Sequence, residues 1–473
     1  MNNLNWITWV FAGLILYPCL APSQTITQEE FLNHLTKHHP LFEKEKLTSQ
    51  IQKEEQNSYL GTEDWNVVTS LNYSHEEPLI AIAGPEKIDA ITASGGIERI
   101  FWKTGGRFSA SVTSSRADIK LDPLFNFPSS FYQNQVSLSY SHPLMRNRKG
   151  FLDRLQYQLK QFDIDFSEIQ AKENMEDFLK AAGGKFLDWV FLSEQRKISV
   201  DRLRLSEEEL DRIKRKREVN LVDQADVIRA EDVVRTWNQN LVLIESQWNA
   251  LQAELSELSR NSDLINAGPA FNLYGLVPRI PMEDAIAQLK DQSRILKVLN
   301  IRLQQLEYVE KGITETAKAD LSLITQFNIK KLDEGLAKSL GLEKPDALIG
   351  LQYTFPVKNR TAKHQLEKTY LQITQLKTQR EEISIALTSA LTNVCIQIRE
   401  LENVLNLNLK QIESAKERTK EELNLYNQGR GDLTFVILSR DNEENAKLTY
   451  AVNALTYHKL NLEYNALMDQ IYP

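Results

Sequence analysis

Two rhythms of hydrophobic and polar positions alternate along this chain. Residues 27–61 space their apolar side chains three and four apart, as an amphipathic helix does, and Thr27 with Glu30 forms a capping box at its start. Residues 282–317, after Pro281, carry the same Leu and Ile spacing. Each helical pattern gives way to alternation, "DWNVVTSLNYS" at 64–74 and "DLSLITQFN" at 320–328. Such period-two runs predict strands with two different faces. A second alternating run in each half ends in a proline: Leu138 and Tyr140 lead to Pro143, Leu351 and Tyr353 to Pro356. An Asn-Arg pair follows in both places (Asn147-Arg148, Asn359-Arg360), and then a long, charge-rich helical pattern. A phrase written twice some two hundred residues apart points to internal repetition.

The lengths agree with that reading. The pattern from Arg148 to about Val219 and the one from Lys358 to about Gln428 are each ~70 residues, or ~105 Å at 1.5 Å per residue. The returning arms, 221–260 and 433–471, are shorter, and the opening helices make up the difference in both halves. The expected organisation is a first repeat at 24–260, a Gly- and Pro-punctuated linker at 261–281, and a second repeat at 282–473. The first half holds an additional segment at 78–134, a strand-turn-strand around Thr104-Gly105-Gly106, read as an extra surface hairpin. The predicted fold class is therefore mixed α/β: long antiparallel helical hairpins with about four strands. Four strands cannot close a membrane barrel, which needs at least eight and no open edge; three copies would supply about twelve.

Composition narrows the function classes. The chain has 473 residues, 25% of them charged and 42% hydrophobic, with a net charge of −8. No interior run approaches the ~20 apolar residues of a helical membrane span, and the acidic balance offers no pull toward nucleic acid. The opening "WITWVFAGLILYPCLAPSQ" fits a signal peptide, residues 1–23, cleaved before Gln24. A lipidated Cys19 is the alternative. Cys395, in "ALTNVCIQIREL", is expected as a small buried apolar residue. The seven histidines are scattered, and the adjacent His38 and His39 would project in different directions, unlike metal ligands at i,i+4. No nucleophile elbow, P-loop or dinucleotide fingerprint is present. Neither an enzyme nor a bound metal or cofactor is expected.

Two further stretches carry the most specific signal, "NLVDQADVIRAE" at 220–231 and "YNQGRGDLTFVILSRDNEENAKL" at 426–448. Together with the two-half order and the strand-proline-arginine joints at Pro143 and Pro356, they resemble the hairpin tips of the TolC family of outer-membrane channels. The resemblance covers essentially the whole mature chain. It implies a homotrimer with a β-barrel among the outer-membrane lipids and a helical tunnel in the periplasm. It also implies a tip that docks a periplasmic adaptor, and through it an inner-membrane pump or ABC transporter, for efflux or type I secretion. On this reading Asn220, Leu221, Val222, Gly429, Asp432, Leu433 and Thr434 form the docking tips, with Asn220 and Gly429 in left-handed turns. The basic run "DRIKRKRE" (211–218) offers Lys214 and Arg215 either to an adaptor or simply to the helix C-terminal dipole.

Where the family's gate carries aspartates, this chain has Phe435 and Leu438, which implies either an apolar constriction or side chains packed between helices. The resemblance also implies a latch between Asp226 and Tyr426, with Arg229 or Arg430 replacing an arginine that aligns with Gly431. Asp226 could instead favour its helix start electrostatically. A coiled-coil scaffold without channel activity is the rival reading, and it leaves the paired strand-proline phrases unexplained.

Overall fold

The computed structural model describes residues 25–77, 85–120 and 129–472. The expected signal peptide with its expected cleavage before Gln24, and Cys19, lie outside the described residues, as does part of segment 78–134. In chain order the elements are β1 (Thr25–Thr27), α1 (Gln28–His38), α2 (Pro40–Ser58), β2 (Asn66–Glu76), β3 (Lys87–Phe101), β4 (Gly106–Lys120), β5 (Ser130–Pro143), α3 (Leu155–Glu218) and α4 (Gln224–Ser259). Then come β6 (Gly268–Ala270), α5 (Met282–Gln292), α6 (Arg294–Thr316), β7 (Asp320–Asp333), α7 (Leu336–Ser339), β8 (Lys344–Thr354), α8 (Arg360–Asn427) and α9 (Leu433–Leu467). No helix among the described residues is long and apolar enough to cross a membrane. The chain divides into two compact units, one of residues 1–43, 175–287 and 390–473, the other of 44–174 and 288–389.

The second unit holds an antiparallel sheet in the order β2-β3-β4-β5-β7-β8. The described residues place six strands in this sheet, not four, because β3 and β4 are not a separate surface hairpin. They lie between β2 and β5, which do not pair with each other. Around the sheet's helical end, α2, α6 and the first turns of α3 interlock. The Gln56 amide donates to the Tyr157 carbonyl (3.0 Å), Lys53 pairs with Glu168 (2.9 Å), and Arg302 pairs with Asp163 (2.9 Å) while lying 4.1 Å from the Phe166 ring.

Both strand-to-helix joints have a proline at or just past the strand end and a left-handed asparagine before the helix, but they differ in their bonds. Pro143 is the last residue of β5, opposite Ser322, where a missing N–H costs the ladder least. Asn147 then takes a left-handed turn (φ 61°); its side chain accepts from the Leu152 N–H and donates to Asp153, both at 2.8 Å. These bonds hold a short irregular turn, so α3 starts at Leu155 rather than at Arg148. Pro356 falls just past the end of β8, and Asn359 (φ 37°) donates to the Ala317 carbonyl (2.9 Å) before α8 begins.

In the first unit the expected capping box at α1 is present: the Glu30 N–H donates to the Thr27 hydroxyl and the Thr27 N–H to the Glu30 carboxylate. Phe31, Leu35, Phe186 and Trp189 are fully buried, with Phe31 stacked on Phe186 at 5.6 Å. His39 stacks on Phe178 and accepts from the Leu41 N–H, while His38 bonds the His34 carbonyl. Cys395 is half-buried, and burial raises its thiol pKa.

The 261–281 segment is tied to α9. His458 is buried, its Nε2 donating to the Leu273 carbonyl at 3.0 Å and its ring meeting the edge of Phe271. Burial pushes the His458 pKa below its ordinary value, with the Leu273 carbonyl partly opposing. His34 and His39 are shifted down for the same first reason. The unfolded chain therefore takes up these protons first. Their stability contribution is full above the ordinary histidine pKa of about 6.5 and is lost as pH falls through the lower folded values. Acidifying from neutral pH to about 5 should lower the thermal midpoint of the detergent-solubilised protein, and His458→Phe should flatten part of that slope. Circular-dichroism melts check this; a midpoint independent of pH across that range contradicts it.

Candidate functional site

The first candidate surface is the sheet of the second unit, whose alternation gives it one mainly apolar face and one mainly polar face, with exceptions such as Ser114 on the first and Val68 and Leu348 on the second. One face carries Val67, Leu71 and Tyr73 on β2, Ile91, Ala93 and Ile97 on β3, and Phe108, Ala110 and Val112 on β4. It continues through Val136, Leu138 and Tyr140 on β5, Leu323, Phe327 and Ile329 on β7, and Ile349, Leu351 and Tyr353 on β8. The other face is mostly polar and small, including Ser70 and Asn72, Thr92 and Ser94, Ser109 and Ser111, Ser137 and Ser139, Gln326 and Asn328, and Gln352. Val67 is 74% exposed and Ile349 79%, on strands that end the sheet. Long, open, apolar edges of this kind are what soluble sheets avoid.

Aromatic residues bracket the apolar band. Trp65 and Tyr73 are eight positions apart, and so are Tyr132 and Tyr140. Eight strand residues span about 26 Å along the strand, or about 20 Å along a membrane normal once tilted by 35–45°, near the ~25 Å apolar band of membrane barrels. At the end nearer the helices, Trp65 meets Phe108 edge-on (6.0 Å), and Arg99 lies over Trp65 (5.5 Å) and Phe101 (5.6 Å). At the other end Arg116 lies over Tyr132.

The second candidate surface is the pair of helix tips in the first unit. Asn220 (φ 57°) turns α3 into α4 and Gly429 (φ 72°) turns α8 toward α9, where Asp432 caps the helix by accepting from the Thr434 N–H (2.7 Å). A cluster of Ile213, Val227, Ala230 and Leu433 holds the tips together, with Val222, Tyr426 and Ile437 packed against it. Leu433 is only 2% exposed, so its place is in this cluster and not on a docking surface. Asn220, Leu221, Gly429, Asp432, Thr434, Lys214 and Arg215 are exposed, and Val222 is half-buried. Lys214 pairs with Glu231 at 3.5 Å. Phe435 and Leu438 are 57% and 54% exposed, one helical turn apart.

The expected Tyr426–Asp226 bond is not made. Arg229, one turn further along α4, takes the Asp226 carboxylate (2.9 Å) and also reaches the Thr434 hydroxyl (3.4 Å), adding a hydrogen bond between the two tips. The Tyr426 ring lies under the Lys216 ammonium (3.9 Å to its centre), and its hydroxyl is buried without a hydrogen-bond partner. Burial, then the nearby Asp226 charge, raises the phenol pKa; burial lowers that of Lys216. Leaving a buried polar group unpaired costs roughly 1–3 kcal/mol. Tyr426→Phe should therefore leave the thermal midpoint unchanged or raise it. A clear fall would mean that another copy of the chain supplies a partner for the hydroxyl.

No protein-family model matches this sequence, and no curated protein matches it significantly. Solved structures do match. The outer membrane protein VceC of Vibrio cholerae superposes with a TM-score of 0.66 at 10% identity, covering 94% of this chain and 95% of that one. The CmeC outer membrane channel of Campylobacter jejuni gives 0.66 at 12% identity, covering 100% and 94%. The open state of the Neisseria gonorrhoeae MtrE outer membrane channel gives 0.63 at 11% identity, covering 93% and 88%. The resemblance carried by the joints and tips is thus borne out in three dimensions: this chain has the fold of the TolC-type outer-membrane channels.

Proposed function

We propose that this protein is an outer-membrane channel, the exit duct of a tripartite efflux or type I secretion system, with its helical part in the periplasm. The observation that carries the reading is the two-faced sheet with open edges. An apolar, aromatic-bracketed face suits lipid, a hydroxyl-rich face suits a wet lumen, and in hydrocarbon no strand edge can stay unpaired. Successive strands from β2 to β8 alternate in direction, so β8 of one copy can pair antiparallel with β2 of the next. Closure then needs several copies, and we take the assembly as a homotrimer. The two halves act as structural repeats, each delivering a strand into a long helix at Pro143 or Pro356. The exposed tip residues, with Lys214 and Arg215, form the surface for a periplasmic adaptor, which brings the inner-membrane pump. Purified protein in planar lipid bilayers should give discrete conductance steps. A coiled-coil scaffold would give none.

A further inference from the structure

We infer that the hairpin β3–β4 is a transmembrane pair, so that each protomer gives six strands and a three-copy barrel closes on eighteen rather than twelve. The inference rests on the channel reading above and adds what the inserted hairpin does. The middle of each of its strands carries the membrane pattern. Ile91 and Ile97 on β3 and Phe108 and Val112 on β4 lie on the apolar face, while Ser94 and Ser111 lie on the polar one. The ladder runs without a break from β2 through β3 and β4 to β5, so removing the hairpin would take away the one partner of β2 and leave β5 paired only with β7.

The turn of the hairpin is also fixed into the strand-to-helix joint. Trp102 is buried; its backbone N–H donates to Glu63 (2.8 Å), its indole N–H to Thr62 (2.6 Å), and its ring meets Tyr157 edge-on. Gly105 and Gly150 both take left-handed conformations where the turn meets the joint, and a Cβ on Gly150 would fall 1.9 Å from the Trp102 carbonyl oxygen. Only glycine permits that approach. At the opposite end Asp89 accepts from His75, the Tyr73 hydroxyl and Lys87, a charged cluster placed where lipid headgroups begin. An accessory surface hairpin needs neither the buried turn nor the apolar stripe.

The consequence is a wider pore. With strands 4.8 Å apart and tilted by 40°, the backbone diameter is about 24 Å for twelve strands and about 36 Å for eighteen. In the middle of the hairpin the lumen-facing residues are Thr92, Ser94 and Gly96 on β3 and Ser109, Ser111, Thr113 and Ser115 on β4, which take little from that width. The barrel would pass bulkier cargo than a twelve-strand wall admits.

Single cysteines placed in Cys395→Ser protein in native membranes test this. At Ile97→Cys and Val112→Cys a water-soluble maleimide should fail and a lipid-soluble one succeed; at Ser94→Cys and Ser111→Cys the water-soluble reagent should label. Leu138→Cys and Ser139→Cys on β5 are the reference pair. If the reference pair alternates and the hairpin positions all label from water, the hairpin is accessory and the inference fails while the channel stands. If the reference pair does not alternate either, the channel reading itself fails. Top views of the assembly by electron microscopy give the second readout: a wall about 36 Å across supports the inference, and about 24 Å overturns it.

Discussion

Leu138→Arg should abolish assembly in the outer membrane, whereas Ser139→Arg, one residue later, should leave it largely intact. Leu138 lies on the apolar face of β5 between Ala110 and Phe327, and its neighbour Ser139 lies on the opposite face between Ser109 and Gln326. A cationic side chain facing lipid near the middle of a barrel strand costs roughly 2–4 kcal/mol. A threefold assembly pays that cost three times, which is comparable to the whole stability of an ordinary domain. The same cation facing a wet lumen keeps its hydration and costs little. The amount of heat-modifiable oligomer in outer-membrane fractions reads the difference. Equal damage from both substitutions would mean that the sheet is not two-sided in the sense argued here.

Replacing Phe435 and Leu438 together with serine should raise single-channel conductance about twofold or more, as expected when a hydrophobic constriction that resists wetting is removed. Both side chains are more than half exposed, while Leu433 and Val436 on the same turns are buried and orient the start of α9. Spaced i,i+3, Phe435 and Leu438 share one face of the helix, and copies around an axis would form two stacked apolar rings. Because neither side chain belongs to the tip cluster, the double substitution should leave the melting transition in place. Unchanged conductance in planar bilayers would assign both residues to packing between helices of neighbouring copies.

The helices and the joints were legible because their signals are local. The Thr27–Glu30 cap, the prolines after alternating runs, and Asn or Gly where a left-handed turn is needed all act within a few residues. From sequence alone the β3–β4 hairpin reads as a surface hairpin, for a physical reason. Its apolar face is interrupted by Ala93, Gly95, Ala110 and Ser114, and its polar face mixes Ser and Thr with Ile88, Ala90, Ile100 and Ile119, so the two faces differ weakly until pairing aligns them with β2 and β5. The tips show the opposite limit. Asp226 and Tyr426 are chemically able to bond, but Arg229 and Lys216 compete for them, and only the folded hairpins decide which contact wins. Leu433 likewise looks exposed from its place beside a cap residue. Its burial depends on Ile213 and Val227, more than two hundred residues away in sequence.

Under the proposed function, copies of this chain join edge to edge, β8 on β2, into a closed channel in the outer membrane. Chemical crosslinking in native membranes, followed by separation of the outer-membrane fraction, tests it most directly. A channel closed by three copies should give a ladder that ends at three protomers, all in the outer membrane. A monomer or dimer as the limiting product, or recovery of the protein in the soluble fraction, would contradict it.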